Sequence, residues 1–399
     1  MTSPPGEAAW MSSGLASLTG RADGPALVPR HRTALAARAW GELLSSLTGG
    51  RVDLDGAALL TERAAMTGRG RAGATSAGGS CRLLAAADGW VALSCARPGD
   101  DDLAGALVGR TPSGSPWPDL ARWCRGRTAG EIVGRARLLG LAAAAVGEWR
   151  RPAPARRPIG LPIVARGALV VDFSALWAGP LCAHLLGLAG ADVVKVETPQ
   201  RPDGARFGHG GFYDLLHAGH RSVVLDPDDP VDRRALHALA ARADVVIEAS
   251  RPRALARWGL DARRAAAAGT VWLSITAYGR AHDRVGFGDD VAAAAGLVAW
   301  EADSGAPVFC GDAIADPLTG LYAACRVLER LGRGEGALLD VAMAAVAAAT
   351  VASPWRTPAR PVDAAPPPAA RSVAAGPAGA AAPESGLDTE AVLAELGIR

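Results

Sequence analysis

The spacing of apolar residues changes character near residue 166. Beyond that point, residues 168–173 (ALVVDF) form a short apolar run, followed by the connection SALWAGP. Residues 181–190 are then apolar at helical spacing and end on glycine. A second run, 191–197 (ADVVKVE), completes strand, helix and strand in about thirty residues, the length of a parallel βαβ unit. The alternation continues with a strand at 222–225, a helix over 230–241, a strand at 244–248, a helix over 255–267 and a strand at 270–276. This pattern predicts an α/β fold, a doubly wound parallel Rossmann-like sheet covered on both faces.

The first part of the chain reads differently. Residues 33–46 and 56–66 have helical spacing, 69–79 (RGRAGATSAGG) form a glycine-rich loop, and 88–95 give a turn and an alternating strand. Residues 120–148 hold two helical stretches, so 1–149 are expected to form a second, smaller α+β domain. The Pro/Arg stretch 150–165 reads as a linker, because proline removes backbone donors and favours extended chain. Residues 166–350 make the Rossmann-like domain, the Pro/Ala-rich stretch 351–386 is expected to lack fixed structure, and 387–399 end in a short amphipathic helix.

Composition narrows the function. The chain has 399 residues, 49% hydrophobic and 21% charged, with a net charge of +2, which excludes a nucleic-acid binder relying on bulk positive charge. Arginine is abundant, whereas Lys195 is the single lysine. The six cysteines have neither CxxC spacing nor histidines at metal spacing, and are expected to be reduced and mostly buried. The first residues lack the basic start of a signal peptide, and the longest apolar stretches, 138–146 and 341–352, are too short to span a bilayer. A cytoplasmic protein without membrane or nucleic-acid partners is expected. The first βα connection has no GxGxxG, so Glu197 at the second strand's end does not by itself make a dinucleotide site.

Several segments in a fixed order carry a resemblance. These are VVDFSALWAGP (170–180), LAGADVVKVE (188–197), HRSVVLD (220–226), ADVVIEASRP (243–252), WGL (258–260), SITAYG (274–279) and GDAIADPLTGL (311–321). Together they closely resemble the class III CoA-transferases, which include formyl-CoA and carnitine CoA-transferases and are related to α-methylacyl-CoA racemases. The order of the pieces departs from the family. AWMSSGLASLTG (9–20) is similar to the family segment just before the catalytic region, and the stretches around 88–90 and 127–133 are similar to its C-terminal half. The chain thus resembles a permuted or fused-and-trimmed member.

The resemblance implies a nucleophilic aspartate at Asp316. Its carboxylate would attack an acyl-CoA thioester, forming a mixed anhydride and then an aspartyl-CoA thioester that an acceptor carboxylate takes over. Local sequence offers another role, since Asp316-Pro317 before LTGLYAACRVLERL reads as an N-cap and N1 proline. Asp312 is the backup acid, with a solvated loop as its ordinary reading. Arg251, Arg221, Lys195, Ala178 and Gly179 match CoA-contacting positions, although Lys195 also reads as closing a strand. His217, Gly219 and His220 replace an Asn- and Lys-bearing stretch. Gly78 and Gly79 are similar to the remnant of a glycine loop, and Asp289 stands where the racemases carry a histidine. The implied protein is an acyl-CoA:carboxylate CoA-transferase and homodimer, with coenzyme A as substrate and no tightly bound cofactor or metal. A racemase-like enzyme and a degenerate CoA-binding remnant are the alternatives.

Overall fold

The computed structural model describes residues 5–110, 114–153, 165–251, 253–363, 365–367 and 381–399. The N-terminal region runs α1 (Pro5–Ser12), β1 (Ala26–Val28), α2 (Thr33–Leu47), α3 (Glu62–Thr67), β2 (Cys81–Ala86), β3 (Gly89–Ser94), α4 (Asp100–Val108), α5 (Trp117–Arg125), α6 (Ala129–Leu138) and β4 (Ala142–Ala145). The βα repeat follows as β5 (Leu169–Asp172), α7 (Ala178–Leu188), β6 (Asp192–Glu197), α8 (Gly210–His217), β7 (Arg221–Val224), α9 (Pro230–Arg242), β8 (Val245–Glu248), α10 (Arg253–Arg257), α11 (Ala262–Ala267) and β9 (Val271–Thr276). The chain continues through α12 (Gly288–Ala295), β10 (Val298–Trp300), β11 (Pro307–Phe309), α13 (Ala315–Leu331), β12 (Ala337–Ala342), α14 (Met343–Ala348), β13 (Arg360–Val362) and α15 (Thr389–Glu395).

Six strands form one sheet in the order β12-β9-β8-β5-β6-β7, with every pairing parallel. The order reverses between β5 and β8, and ligands of open parallel sheets bind beyond the strand ends at such a switch point. Alternate residues supply two cores. Val170, Val245, Ile247 and Leu273 pack with α7 and α13, whereas Leu169, Val171, Val246 and Trp272 pack with α9 and α15. Both faces are covered, which explains why these strands read as continuous apolar runs.

Packing divides the N-terminal region differently from the expected boundary at residue 149. Trp10, Leu44, Leu47 and Leu60 belong to the same core as α7 and α13. Trp40 of α2 meets Tyr322 of α13 edge-on at 5.3 Å between ring centroids. Only the antiparallel sheet β2-β3-β4 with α4, α5 and α6 has its own α+β core, around Leu93, Leu107, Leu120 and Ile132. Within it, the two helical stretches expected over 120–148 are α5 and α6, and the alanine run at 142–145 that follows them is a strand paired with β3. Pairing and burial there override alanine's helical preference. The helix expected over 255–267 is two short ones, α10 and α11, separated by Gly259 in the left-handed region (φ 85°).

Within the stretch expected to lack structure, Arg360–Val362 is a strand paired antiparallel with β1. Residues 364 and 368–380 of that stretch, and 154–164 of the linker, lie outside the described residues. The C-terminal helix docks on β7, with Ser222 N donating to Asp388 Oδ2 at 2.7 Å. All six cysteines are unpaired, and no described helix is long and apolar enough to cross a membrane.

Three histidines, His184, His217 and His220, are buried behind α7 and α8. Burial pulls His184 down to about 4. The unfolded chain therefore binds a proton below about pH 6.5 that the folded chain refuses until about pH 4, so His184 costs stability as pH falls through that window. His184→Leu is expected to reduce the slope of unfolding free energy against pH between those limits by ~1.4 kcal/mol per pH unit. Urea denaturation at several pH values measures it, and an unchanged slope would contradict the assignment.

Candidate active site

The first turns of α12 and α13 bring Asp289, Asp290 and Asp316 together, and the turn before α13 adds Asp312. Asp316 is the second residue of α13, which starts at Ala315 rather than at the proline. The aspartate is thus inside the helix and is not its cap. Its carboxylate accepts no hydrogen bond from any described residue. The residue remains partly open to solvent, yet protein surrounds the carboxyl closely enough that burial pushes it up to about 7. Arg63 pulls the other way, while Asp289, Asp290 and Asp312 add to the upward shift.

The backbone around Asp316 is tightly specified. Ala313 has a positive φ of 45°, an uncommon conformation for alanine. Its N–H donates to Asp289 Oδ1 at 2.9 Å, and its carbonyl accepts from Asp316 N at 2.8 Å. Gly288 lies directly on the carboxylate, where any Cβ would overlap Asp316 Oδ2 and the Ala313 carbonyl. Asp289 is buried, and its carboxyl is pushed up to about 6 by burial and by Asp312. Asp290 is raised to about 7, chiefly by burial, and accepts from Phe287 N and Ser94 Oγ, both at 2.9 Å.

Asp312 departs from its expectation as a solvated loop acid. It is fully buried and grips Arg63 in two hydrogen bonds, Nε–Oδ2 at 2.7 Å and Nη2–Oδ1 at 2.6 Å. Arg69 adds a further contact at 3.1 Å. These arginines hold the Asp312 carboxyl below its ordinary range despite burial. Arg63 also lies face-on to Trp177, 4.0 Å from the ring centroid. Gly78 packs against the Arg69 guanidinium, placing the glycine loop beside this cluster. Behind the Arg63–Trp177 stack, a cavity of about 10 Å³ reaches Leu181, His184 and Phe212, space for about one water.

The profile of CoA-transferase family III matches residues 166–382, more than half of the chain and the stretch carrying Asp312 and Asp316. The chain belongs to this family. The succinyl-CoA–L-malate CoA-transferase beta subunit of Chloroflexus aurantiacus is 37% identical over 190 residues, 42% of this chain and 47% of the relative. Succinate–glutarate CoA-transferase of Agrobacterium fabrum is 30% identical over 210 residues, 47% of this chain and 52% of the relative. Among solved structures, a CAIB/BAIF family protein from Brucella suis is 28% identical with a TM-score of 0.43, covering 46% of this chain and 54% of that one. The chain thus spans about half the length of these two curated relatives.

The other residues that family resemblance singles out are scattered. Arg251 is exposed just beyond β8, sharing Asp283 with Arg253 at 3.7 and 3.0 Å, so its guanidinium remains reachable near the switch point. Arg221 instead ties β7 to neighbouring elements, pairing with Asp192 and with Glu395 of α15. Those carboxylates already occupy it, unlike a free phosphate ligand. Lys195 is sealed in the sheet's end, 2.9 Å from Asp203 and 3.6 Å from Asp172, and also donates to the Ser174 carbonyl. A phosphate has no route to it in this structure. Ala178 and Gly179 open α7 beside β5 but are buried, with Gly179 pressed against Ser174.

Glu197 closes its strand by binding Arg206, and His217 and His220 are buried away from solvent. Sequence reasoning missed Arg63, Arg69 and Trp177 as site components. In an arginine-rich chain, ERAAMTGRGR reads as an ordinary exposed helix end, and only tertiary pairing distinguishes Arg63.

Lys195→Met leaves Asp172 and Asp203 buried without their cation, and is expected to cost ~3–5 kcal/mol in urea denaturation. A loss below about 1 kcal/mol would contradict this structural role. Gly288→Ala forces a methyl group onto the Asp316 carboxylate, with an expected cost of ~1–3 kcal/mol and retained helical circular dichroism. Wild-type stability in that variant would show that the close approach is not obligatory.

Proposed function

We propose that the protein is an acyl-CoA:carboxylate CoA-transferase with Asp316 as nucleophile. The observation that carries this reading is an aspartate at a helix N-terminus, partly open on one side and otherwise enclosed, within the segment matched by CoA-transferase family III. One Asp316 oxygen adds to the thioester carbonyl carbon, the C–S bond breaks, and CoA leaves as thiolate. The thiolate then attacks the aspartyl carbonyl of the mixed anhydride and releases the donor's acyl group as its carboxylate. An acceptor carboxylate attacks the resulting aspartyl-CoA thioester, and thiolate return to the new acyl carbonyl yields acceptor-CoA and free Asp316. Relatives named for succinyl-CoA, malate and glutarate support a carboxylic acid acceptor. Arg251, exposed at the switch-point edge, is the cation best placed for a CoA phosphate.

A second reading rests on Asp289. A carboxylate can replace histidine in proton transfer only if its environment holds it near neutrality, and burial raises Asp289 to about 6 beside Asp316 at about 7. A racemase-like exchange of the α-proton would use this pair. Asp289 Oδ1 is already committed to Ala313 N, which favours the transferase.

Acyl-CoA incubation followed by hydroxylamine should yield a hydroxamate at Asp316 by mass spectrometry, and Asp316→Asn should abolish it. CoA binding with no adduct across a broad acyl panel would overturn the transferase reading and favour a degenerate CoA-binding remnant. Deuterium entry at the α-carbon in D2O, without CoA exchange, would establish the racemase instead. Because attack requires the ionised carboxyl, kcat/KM should rise as pH climbs through about 7, and fall below it. A profile flat from pH 5 to 8 would exclude a titrating Asp316 as nucleophile.

A further inference from the structure

The turn that delivers Asp316 is held by another acid. Between β11 and α13 the chain passes through Gly311 (φ 71°) and Ala313 (φ 45°), both in the left-handed region. Glycine enters that region freely, whereas a residue with a Cβ stays there only when surrounding contacts over-determine it. Asp289 supplies one such contact, because its Oδ1 accepts the Ala313 N–H at 2.9 Å in a buried hydrogen bond. The Ala313 carbonyl in turn accepts Asp316 N at 2.8 Å. One strained residue therefore links the two acids through its own backbone. The residue before Asp289 adds a direct contact: Gly288 lies against Asp316 Oδ2 and against the Ala313 carbonyl. The start of α12 thus touches both the turn and the carboxylate that the turn presents. Asp290 spends its carboxylate elsewhere, on Phe287 N and Ser94 Oγ, and Asp312 is bonded to Arg63 and Arg69. Among the described residues, Asp289 alone of these three acids bonds the backbone of the turn with its side chain.

We infer that Asp289 is the positioning residue for Asp316: through the Ala313 N–H it holds the left-handed turn from which Asp316 enters α13, and its oxygen rather than its charge performs the role. A carboxylate aimed by its backbone must meet the thioester carbonyl carbon in line, and a displacement of about 1 Å can cost about 10²-fold in rate. The kinetic consequence rests on the transferase reading, but the turn itself can be followed without catalysis.

Asp289→Ala removes the acceptor, whereas Asp289→Asn keeps an oxygen for the Ala313 N–H and removes the charge. With the full chain, succinyl-CoA and L-malate, Asp289→Ala should lower kcat about 10–100-fold while KM for the acyl-CoA changes less than about threefold. Asp289→Asn should recover kcat to within about threefold of wild type. Amide hydrogen exchange, followed residue by residue by NMR, reads the turn: Ala313 and Asp316 should exchange about tenfold faster in Asp289→Ala and near the wild-type rate in Asp289→Asn. An unchanged Asp316 rate in Asp289→Ala would overturn the inference. So would an equal loss of kcat in both variants, the result expected of an Asp289 that transfers protons itself. If Asp289→Ala does not fold, Asp289→Asn decides: near-wild-type kcat and exchange support the role, and a loss of kcat above about tenfold or faster Asp316 exchange overturns it. If the wild type transfers no CoA, the transferase reading falls alone, and the exchange rates by themselves decide the role of Asp289.

Discussion

Burial of carboxylates around Arg63 is the constraint on which the site depends. An ionised acid withdrawn from water is costly unless a cation or a set of donors meets it. Asp312 meets two arginines and stays ionised, whereas Asp289 and Asp290 take backbone and hydroxyl donors and are driven toward neutrality. The Asp316 carboxyl has neither a direct ion pair nor a hydrogen bond among the described residues, and burial together with the surrounding charges pushes it up. An unsatisfied carboxyl at the open side of a helix start is poorly suited to stabilising the fold and well suited to meeting a substrate.

Assembling that cluster requires residues from both ends of the chain. Arg63 and Arg69 come from α3 and the following loop, and Asp312 lies more than two hundred residues later. The bridge is mechanical. Helices α1 and α2 share the core of α7 and α13, so α3 is carried to the start of α13 by the packing that stabilises the sheet. The small β2-β3-β4 unit also touches the site, through Ser94 on Asp290. Its position is therefore part of how the acid cluster is held together.

A contrasting use of buried charge occurs at the C-terminal ends of β5 and β6. Lys195 is surrounded by Asp172, Asp203 and the Ser174 carbonyl, and these interactions hold the β5–α7 connection in place. Asp203 Oδ1 also accepts from Leu176 N at 2.9 Å, which pins that residue in its left-handed conformation. The same residue types that leave a partly open carboxyl at Asp316 make a rigid cluster here, because here the cation is central and every approach is closed.

The βα repeat was legible because each strand is apolar on both faces and each helix has a glycine or an aspartate at its boundary. Those are local properties, written residue by residue. Asp316 was legible through its segment, GDAIADPLTGL, while the cap that its neighbourhood suggested was displaced by a helix starting at Ala315. The strand at 142–145 was not read from the sequence, since alanine carries little information about which neighbour will bury it. Sequence alone determined the parallel sheet and the segment that carries Asp316, whereas the strand order and its switch point came from the structure. Tertiary structure alone decided that Arg63 would pair with Asp312, that Lys195 would be sealed and that Arg221 would be occupied. Charge pairing across hundreds of residues depends on which surfaces share a core, and no local spacing encodes that.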